Sequence, residues 1–347
     1  MGSTHLIQCA DLFCGAGGLS YGLQQAGIDV RVGVDQAAST EFPYRSNLSR
    51  PVIVKDIRNV SAENLLQFFS SDVKVLVGCA PCQPFSTLSP TKCSHQDPRR
   101  SLIFEFLRIT KRMCPELIVM ENVPSLRHTS EFQEFSAEVK RIGYHIALGI
   151  LNFVDYGVPQ NRKRLILLAS KMGGIQLPAP TIPLQKKTIS DVIKDLPPIE
   201  AGLKNEDDPL HRAPALSWRN LQRIQASKPG GTWRDWPGEL LSPCHKRADG
   251  KNFLDSYGRM DWSKPSPTIT TRFFTYGCGR FGHPEQDRAI TFREASLLQT
   301  FPMEYKFVPD SKPFRQDELG NLIGNAVPPR IAKILGKTII KHVKTYG

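Results

Sequence analysis

The chain has 347 residues, 40% hydrophobic and 22% charged, the composition of an ordinary globular protein with material for about two domains rather than a disordered or fibrous chain. Lys and Arg number 45 against 33 Asp and Glu, a net charge of +12, so the field of the protein attracts polyanions, nucleic acid first among them. No apolar run is long enough to cross a bilayer, no basic leader opens the chain, and eight cysteines without close clustering indicate reduced thiols, so a cytoplasmic setting without membrane contact is expected.

Leu6 to Phe13 reads as a strand, followed by the turn Cys14-Gly15-Ala16-Gly17-Gly18 and a helix through Leu19, Leu23 and Ala26 that Gly27 closes. Strand, glycine turn, helix is a nucleotide-binding geometry: glycines let a ligand approach the backbone, and the helix start offers unpaired N–H donors. Ser20 stands where the dinucleotide fingerprint needs its last glycine, which weighs against NAD or FAD. The next strand, Ile28 to Val34, ends in Asp35, a carboxylate placed for ribose hydroxyls or a solvated strand-end charge. A third, Pro51 to Val54, runs into Lys55-Asp56-Ile57, a candidate adenine contact. This alternation continues to about Ser170 and implies an α/β fold with a doubly wound, mostly parallel sheet.

Val75-Leu76-Val77 is a buried strand that empties into a loop where Pro81, Gln83 and Pro84 bracket Cys82. Ligands bind at strand carboxyl ends in open α/β sheets, so Cys82 is a candidate nucleophile. A core cysteine is an alternative, and Cys79-x-x-Cys82 also reads as a redox pair or half a zinc site, although no second pair accompanies it. The polar segment Thr87 to Arg100 carries Lys92, Arg99 and Arg100, suited to closing over phosphates or to a solvated loop. The helix Ser101 to Cys114 leads to the strand Leu117 to Met120, which ends in Glu121-Asn122-Val123. A carboxylate at the edge of an apolar strand is costly without a partner, which marks Glu121 as functional. The cluster Pro159 to Arg164 precedes one more apolar strand, Leu165 to Ala169.

From about Met172 the alternation stops, and Trp218, Trp233, Trp236 and Trp262 are interleaved with Arg212, Arg219, Arg223, Arg234, Arg259 and several lysines. This reads as a smaller, irregular, β-rich domain with the tryptophans as its small core or, alternatively, as base-stacking platforms, and its cations toward phosphates and base edges. Thr291 to Thr300 is an amphipathic helix with Thr291 and Glu294 as capping box, and Gly324 to Pro329 opens a last helix, Arg330 to His342, that packs back on the first domain. The expected domains are 1–172, 173–316 and a returning arm 317–347.

Taken together, DLFCGAGG (Asp11 to Gly18), GCAPCQPFS (Gly78 to Ser86), ENV (Glu121 to Val123), QNRKR (Gln160 to Arg164), KPSPTITTR (Lys264 to Arg272) and GNAVPP (Gly324 to Pro329) resemble, in order, the motifs of the DNA cytosine-5 methyltransferases. The resemblance implies an S-adenosylmethionine-dependent, Rossmann-like methyltransferase that flips a cytosine out of double-stranded DNA. It assigns Cys82 to covalent attack at C6, Glu121 to the base's N3, Arg164 to its O2 and Arg162 to support of loop or DNA. It places S-adenosylmethionine on Phe13, Gly15, Gly17, Asp35, Asp56, Ile57, Asn325 and Ala326. The family often has Glu at the Asp35 position and a bulky residue at the Gln36 position.

Expected DNA contacts are Gln83, Ser86, Arg99, Gln160, Arg234, Arg259 and Arg272, and no metal is implied. Within a nucleophile loop, Cys79 reads as strand-end packing. A short chain without regulatory domains reads as the bacterial, monomeric, methylating half of a restriction-modification pair, with a cognate restriction endonuclease. The competing readings are a transfer RNA methyltransferase of the same family, whose Cys-Phe-Thr signature is missing, a redox protein using Cys79 and Cys82, and a non-catalytic DNA-binding protein.

Overall fold

The computed structural model describes residues 6–71, 73–81, 97–181, 186–247, 255–309 and 313–347. The chain divides into two compact units, one comprising Met1–Tyr156, Lys163–Thr181 and Ala326–Gly347, the other Gly157–Arg162 and Ile182–Asn325. The expected bounds are 1–172, 173–316 and 317–347, and the passage of residues 157–162 to the second unit has a backbone reason. Ser266 N donates to Pro159 O at 3.0 Å and Asn161 N to Ser266 O at 2.8 Å, which ties the Gln160 segment into the second unit.

The first unit is built on a seven-stranded sheet of β1 (Ile7–Leu12), β2 (Asp29–Asp35), β3 (Val52–Val54), β4 (Val73–Gly78), β5 (Leu117–Asn122), β6 (His145–Asn152) and β7 (Lys163–Ser170), in the order β3-β2-β1-β4-β5-β7-β6. Strands β1 to β5 pair in parallel; β7 runs against both of its neighbours. The sheet is therefore mostly parallel, as the alternation implies, and β1 and β5, which flank the middle strand β4, are buried along their whole length. Each Val, Leu or Ile taken out of water there contributes about 1.5–3 kcal/mol.

The helices among the described residues are α1 (Gly18–Ala26), α2 (Glu41–Leu48), α3 (Ala62–Leu66), α4 (Leu102–Met113), α5 (Ser130–Arg141), α6 (Ser190–Ile193), α7 (Trp218–Gln225), α8 (Pro243–Lys246), α9 (Phe292–Leu298), α10 (Gln316–Gly324) and α11 (Pro329–Tyr346). In the first unit α11 packs on α1 so closely that a Cβ at Gly22 would lie 2.5 Å from the Ala332 Cβ, so glycine is what lets the two backbones meet. Helix α4 buries Ile103, Phe106, Leu107, Ile109 and Thr110 and turns Arg108, Lys111 and Arg112 outward, the 3.6-residue stripe that its sequence predicts. No helix among the described residues is long and apolar enough to cross a membrane.

Strand order reverses between β1, which continues toward β2 and β3, and β4, which continues toward β5. Such a switch point splays the loops that leave the two central strands and opens a crevice at their carboxyl ends. The glycine turn leaves β1 there, and the loop toward Cys82 leaves β4.

The second unit corrects the β-rich expectation. Its described residues form isolated bridges, such as Arg259–Gly282 and Gly282–Ala289, and no strand ladder, because prolines remove donors and glycines interrupt pairing. Side chains hold it instead. Trp233 and Trp236 are buried with Ile224, Leu240 and Tyr276, and Ser227 Oγ accepts from Trp236 Nε1 at 2.7 Å and shares a 2.9 Å hydrogen bond with Tyr276 OH. Two tryptophans are thus core, whereas Trp218 is 73% exposed. The capping box of α9 forms as expected, Thr291 Oγ1 accepting from Glu294 N at 3.1 Å and Glu294 Oε2 from Thr291 N at 2.7 Å. The same carboxylate takes a two-pronged ion pair from buried Arg288, both distances 2.8 Å.

Candidate active site

Where β1 ends, Phe13, Gly15 and Gly17 have φ of 60°, 53° and 85°. A phenylalanine in the left-handed region costs on the order of 1 kcal/mol or more, and such residues gather at ligand clamps. A Cβ at Gly15 would meet nothing within 4 Å, so this glycine borders open space. Asp35, at the end of β2, accepts from Gly15 N at 3.0 Å through Oδ2 and from Ala37 N at 2.9 Å through Oδ1. Burial pushes its carboxyl above the usual range, while the bonds from Ala37 and Gly15 pull it down. The carboxylate still has lone-pair capacity for a further donor.

Behind the turn, Asp11 is fully buried and accepts from Ser20 Oγ at 2.6 Å, and Ser20 Oγ lies 2.9 Å from Tyr44 OH. Burial pushes the Asp11 carboxyl up to about 7 against the Ser20 hydrogen bond. The serine that breaks the dinucleotide fingerprint thus braces the turn from within.

At the end of β5, Glu121 and Asn122 belong to the strand and are both 1% exposed. Asn122 Nδ2 donates to Ala80 O at 2.9 Å, holding the root of the loop that leaves β4. Glu121 Oε1 lies 3.1 Å from Arg164 Nε of β7, and Cys79 Sγ donates to Glu121 Oε2 at 2.8 Å. The register that sets Glu121 opposite Ile166 on β7 brings this pair within reach. Cys79 thus contacts the carboxylate, where the sequence reading assigned it to packing. Cys82, Gln83 and Ser86 lie outside the described residues.

Of the remaining cofactor candidates, Asp56 caps a short turn by accepting from Arg58 N at 2.9 Å, and Ile57 is part of the apolar core. Asn325 is exposed at the end of α10, and Ala326 is buried where the chain re-enters the first unit.

Several expected DNA contacts have partners inside the protein. Gln160 is fully buried in the second unit, donating to Gln299 Oε1 at 2.8 Å and accepting from Ile269 N at 2.9 Å. Arg162, 2% exposed, donates to Ile269 O at 3.2 Å and Gly324 O at 3.4 Å, so it braces two segments of that unit. Arg259 is buried and paired with Asp287. Gln160 and Arg259, expected at the DNA, thus have their polar groups engaged within the chain, because a guanidinium or amide without water must find partners there, and Arg162 acts as a support on backbone carbonyls. Arg99 and Arg272 are exposed and paired with Asp97 at 2.7 Å and Asp317 at 2.6 Å, and exposed Arg234 lies over the Trp233 ring.

A sequence profile of the C-5 cytosine-specific DNA methylase family matches residues 7–341. The chain is 43% identical to the Type II methylase M.HgiDII of Herpetosiphon aurantiacus, an alignment covering 96% of this chain and 95% of the relative. It is 33% identical to the Type II methyltransferase M1.HphI of Haemophilus parahaemolyticus, over 98% and 89% of the two chains. Among solved structures it is similar in fold to a prophage-encoded DNA modification methyltransferase of E. coli, with TM-score 0.74, 22% identity and coverage of 97% and 99%.

Proposed function

We propose that this chain, which belongs to the C-5 cytosine-specific DNA methylase family, transfers a methyl group from S-adenosylmethionine to C5 of a cytosine flipped out of a specific double-stranded DNA sequence. The observation that carries this reading is the buried Glu121 carboxylate, paired with Arg164 beside the loop that leads to Cys82.

Cytosine C5 is too weak a nucleophile to take a methyl group unaided. Addition of the Cys82 thiolate to C6 makes the ring enamine-like and pushes negative charge toward N3 and O2. Glu121, carrying or sharing a proton at N3, neutralises that charge, and Arg164 holds O2. Loss of the C5 proton and β-elimination then return the thiolate and free the base. When bound, S-adenosylmethionine supplies the electrophilic methyl group. The glycine turn fits that group: Gly15 keeps the space beside it clear, and Asp35 offers its remaining lone pairs to the ribose hydroxyls. Asp56, Ile57, Asn325 and Ala326 are assigned to the same ligand by their family motifs.

The names of the relatives support protection of host DNA beside a cognate restriction endonuclease. We assign the enzyme to the cytoplasm, acting as a monomer. Incubation with methyl-labelled S-adenosylmethionine and a mixture of mixed-sequence DNA and transfer RNA, followed by separation of the two and nucleoside analysis of each, is expected to yield labelled 5-methylcytosine in the DNA. Label confined to transfer RNA would overturn the DNA assignment.

Replacing Asp35 with Ala is expected to weaken S-adenosylmethionine binding about 10- to 100-fold, the worth of hydrogen bonds to a charged acceptor, while DNA affinity holds. Titration calorimetry with each ligand separates the two; equal losses for both would show a folding defect instead.

A further inference from the structure

Glu121 has two carboxylate oxygens in different situations. Oε2 receives the Cys79 thiol at 2.8 Å. Oε1 lies 3.1 Å from Arg164 Nε but is not aligned for a hydrogen bond, and it has no hydrogen-bond partner among the described residues although it is buried. A buried carboxylate oxygen left without a donor is costly and persists where an incoming ligand satisfies it. We propose that Cys79 is a positioning residue of the methyl-transfer reaction: its thiol anchors Oε2 of Glu121 and fixes the carboxyl plane so that Oε1 is the atom presented to the N3 edge of the target cytosine. This rests on the assignment of Glu121 to the base.

The geometry follows from the fold. Cys79 is the residue after β4, Glu121 is the fifth residue of its parallel neighbour β5, and Gly78 pairs with Met120, so the two side chains leave adjacent strands at one level. Arg164 approaches from β7 on the opposite side of β5. Among the described residues these are the charged or titratable groups in contact with the carboxylate. An Arg alone would leave the carboxyl free to pivot about its Cγ–Cδ bond; a second donor on the other oxygen removes that freedom. Holding a reacting group in one orientation is the usual way in which such a residue raises kcat without contributing to binding.

The test uses the full-length enzyme with Cys79→Ala, Cys79→Ser and Glu121→Gln, and the double variant of Cys79→Ala with Glu121→Gln. Cys79→Ala is expected to lower kcat about tenfold, the loss of one oriented hydrogen bond to a charged group, with KM for DNA and for S-adenosylmethionine within about twofold of wild type. Cys79→Ser, whose hydroxyl still donates, is expected to recover most of that loss. In the Glu121→Gln background, Cys79→Ala should cost far less than it does alone, because two residues acting through one group are not additive. Full losses from both changes that simply multiply, or a serine variant no better than alanine, would overturn the proposal and leave Cys79 a packing residue. A Cys79→Ala enzyme as active as wild type beside a crippled Glu121→Gln would remove Cys79 alone; an unimpaired Glu121→Gln would remove the role of Glu121 itself.

Discussion

Cys82→Ser is expected to lower methyl transfer by ~10³-fold or more while leaving DNA binding and S-adenosylmethionine binding measurable. The reason lies in the nucleophile, since a thiol ionises within reach of neutral pH and its thiolate adds to an electron-poor ring carbon, whereas a serine hydroxyl stays protonated unless a base stands beside it. The position also matters. The loop toward Cys82 starts at the strand-order reversal between β1 and β4, and the hydrogen bond from Asn122 to Ala80 fixes its root beside Glu121. DNA containing 5-fluorocytosine sharpens the test. Fluorine at C5 cannot leave as a proton does, so the wild-type enzyme should remain covalently attached and survive denaturing electrophoresis with labelled methyl in the same band. The band should vanish with Cys82→Ser. A band that persists in the variant would assign the attack to another residue, and a variant with undiminished turnover would remove the covalent mechanism.

What the sequence made legible was chiefly what is local. The β1 strand, the glycine turn, α1 and the carboxylate closing β2 follow from apolar runs, positive-φ glycines and a strand-end Asp, all within one stretch of chain. The capping box of α9 is local too, and it forms. The direction of β7 was not legible: an apolar strand looks the same whichever way its neighbours run, and only the sheet order shows it antiparallel to β5 and β6. Long-range partners were hidden for the same reason. Glu121 was marked by the cost of a carboxylate on an apolar strand, but nothing in the sequence says that Cys79 contacts it. Arg162 and Arg164, neighbours in one basic cluster, fall in different units, one on backbone carbonyls and the other on Glu121. Arg259 looked like a surface cation because its partner Asp287 lies far along the chain. Composition shows how many charges a segment carries; it does not show which of them are already paired.

The stability of the second unit should depend on one such hidden pair. Arg288 and Glu294 are each 1% exposed, and Glu294 also accepts from Thr291 N to start α9. Burial pushes the Glu294 carboxyl up, but Arg288 outweighs it and holds the group down at about 2. Glu294→Ala would strand a buried guanidinium and uncap α9 at once, so it is expected to destabilise the unit by about 3–5 kcal/mol. Glu294→Gln, which keeps an acceptor for the cap but not the charge, should lose less. Beside the pair, His283 Nε2 lies 3.6 Å from Glu294 Oε1 and Trp262 packs edge-on to its ring. Burial brings His283 down to about 4, with Arg288, Arg259 and His211 acting in the same direction and Glu294 opposing them. The folded imidazole therefore stays neutral where an unfolded one, near 6.5, takes up a proton. Stability should fall as pH drops from about 6.5 to 4, by up to ~3 kcal/mol. The contribution of Glu294 is present above its unfolded value and is lost only at lower pH, toward 2. Denaturant unfolding of the full chain at pH 7.5 and pH 5, followed by tryptophan fluorescence, reads the second unit because all four tryptophans lie in it. His283→Gln should flatten the loss between those two pH values. A wild-type protein equally stable at both, or a Glu294→Ala protein as stable as wild type, would mean that this network does not hold the unit together.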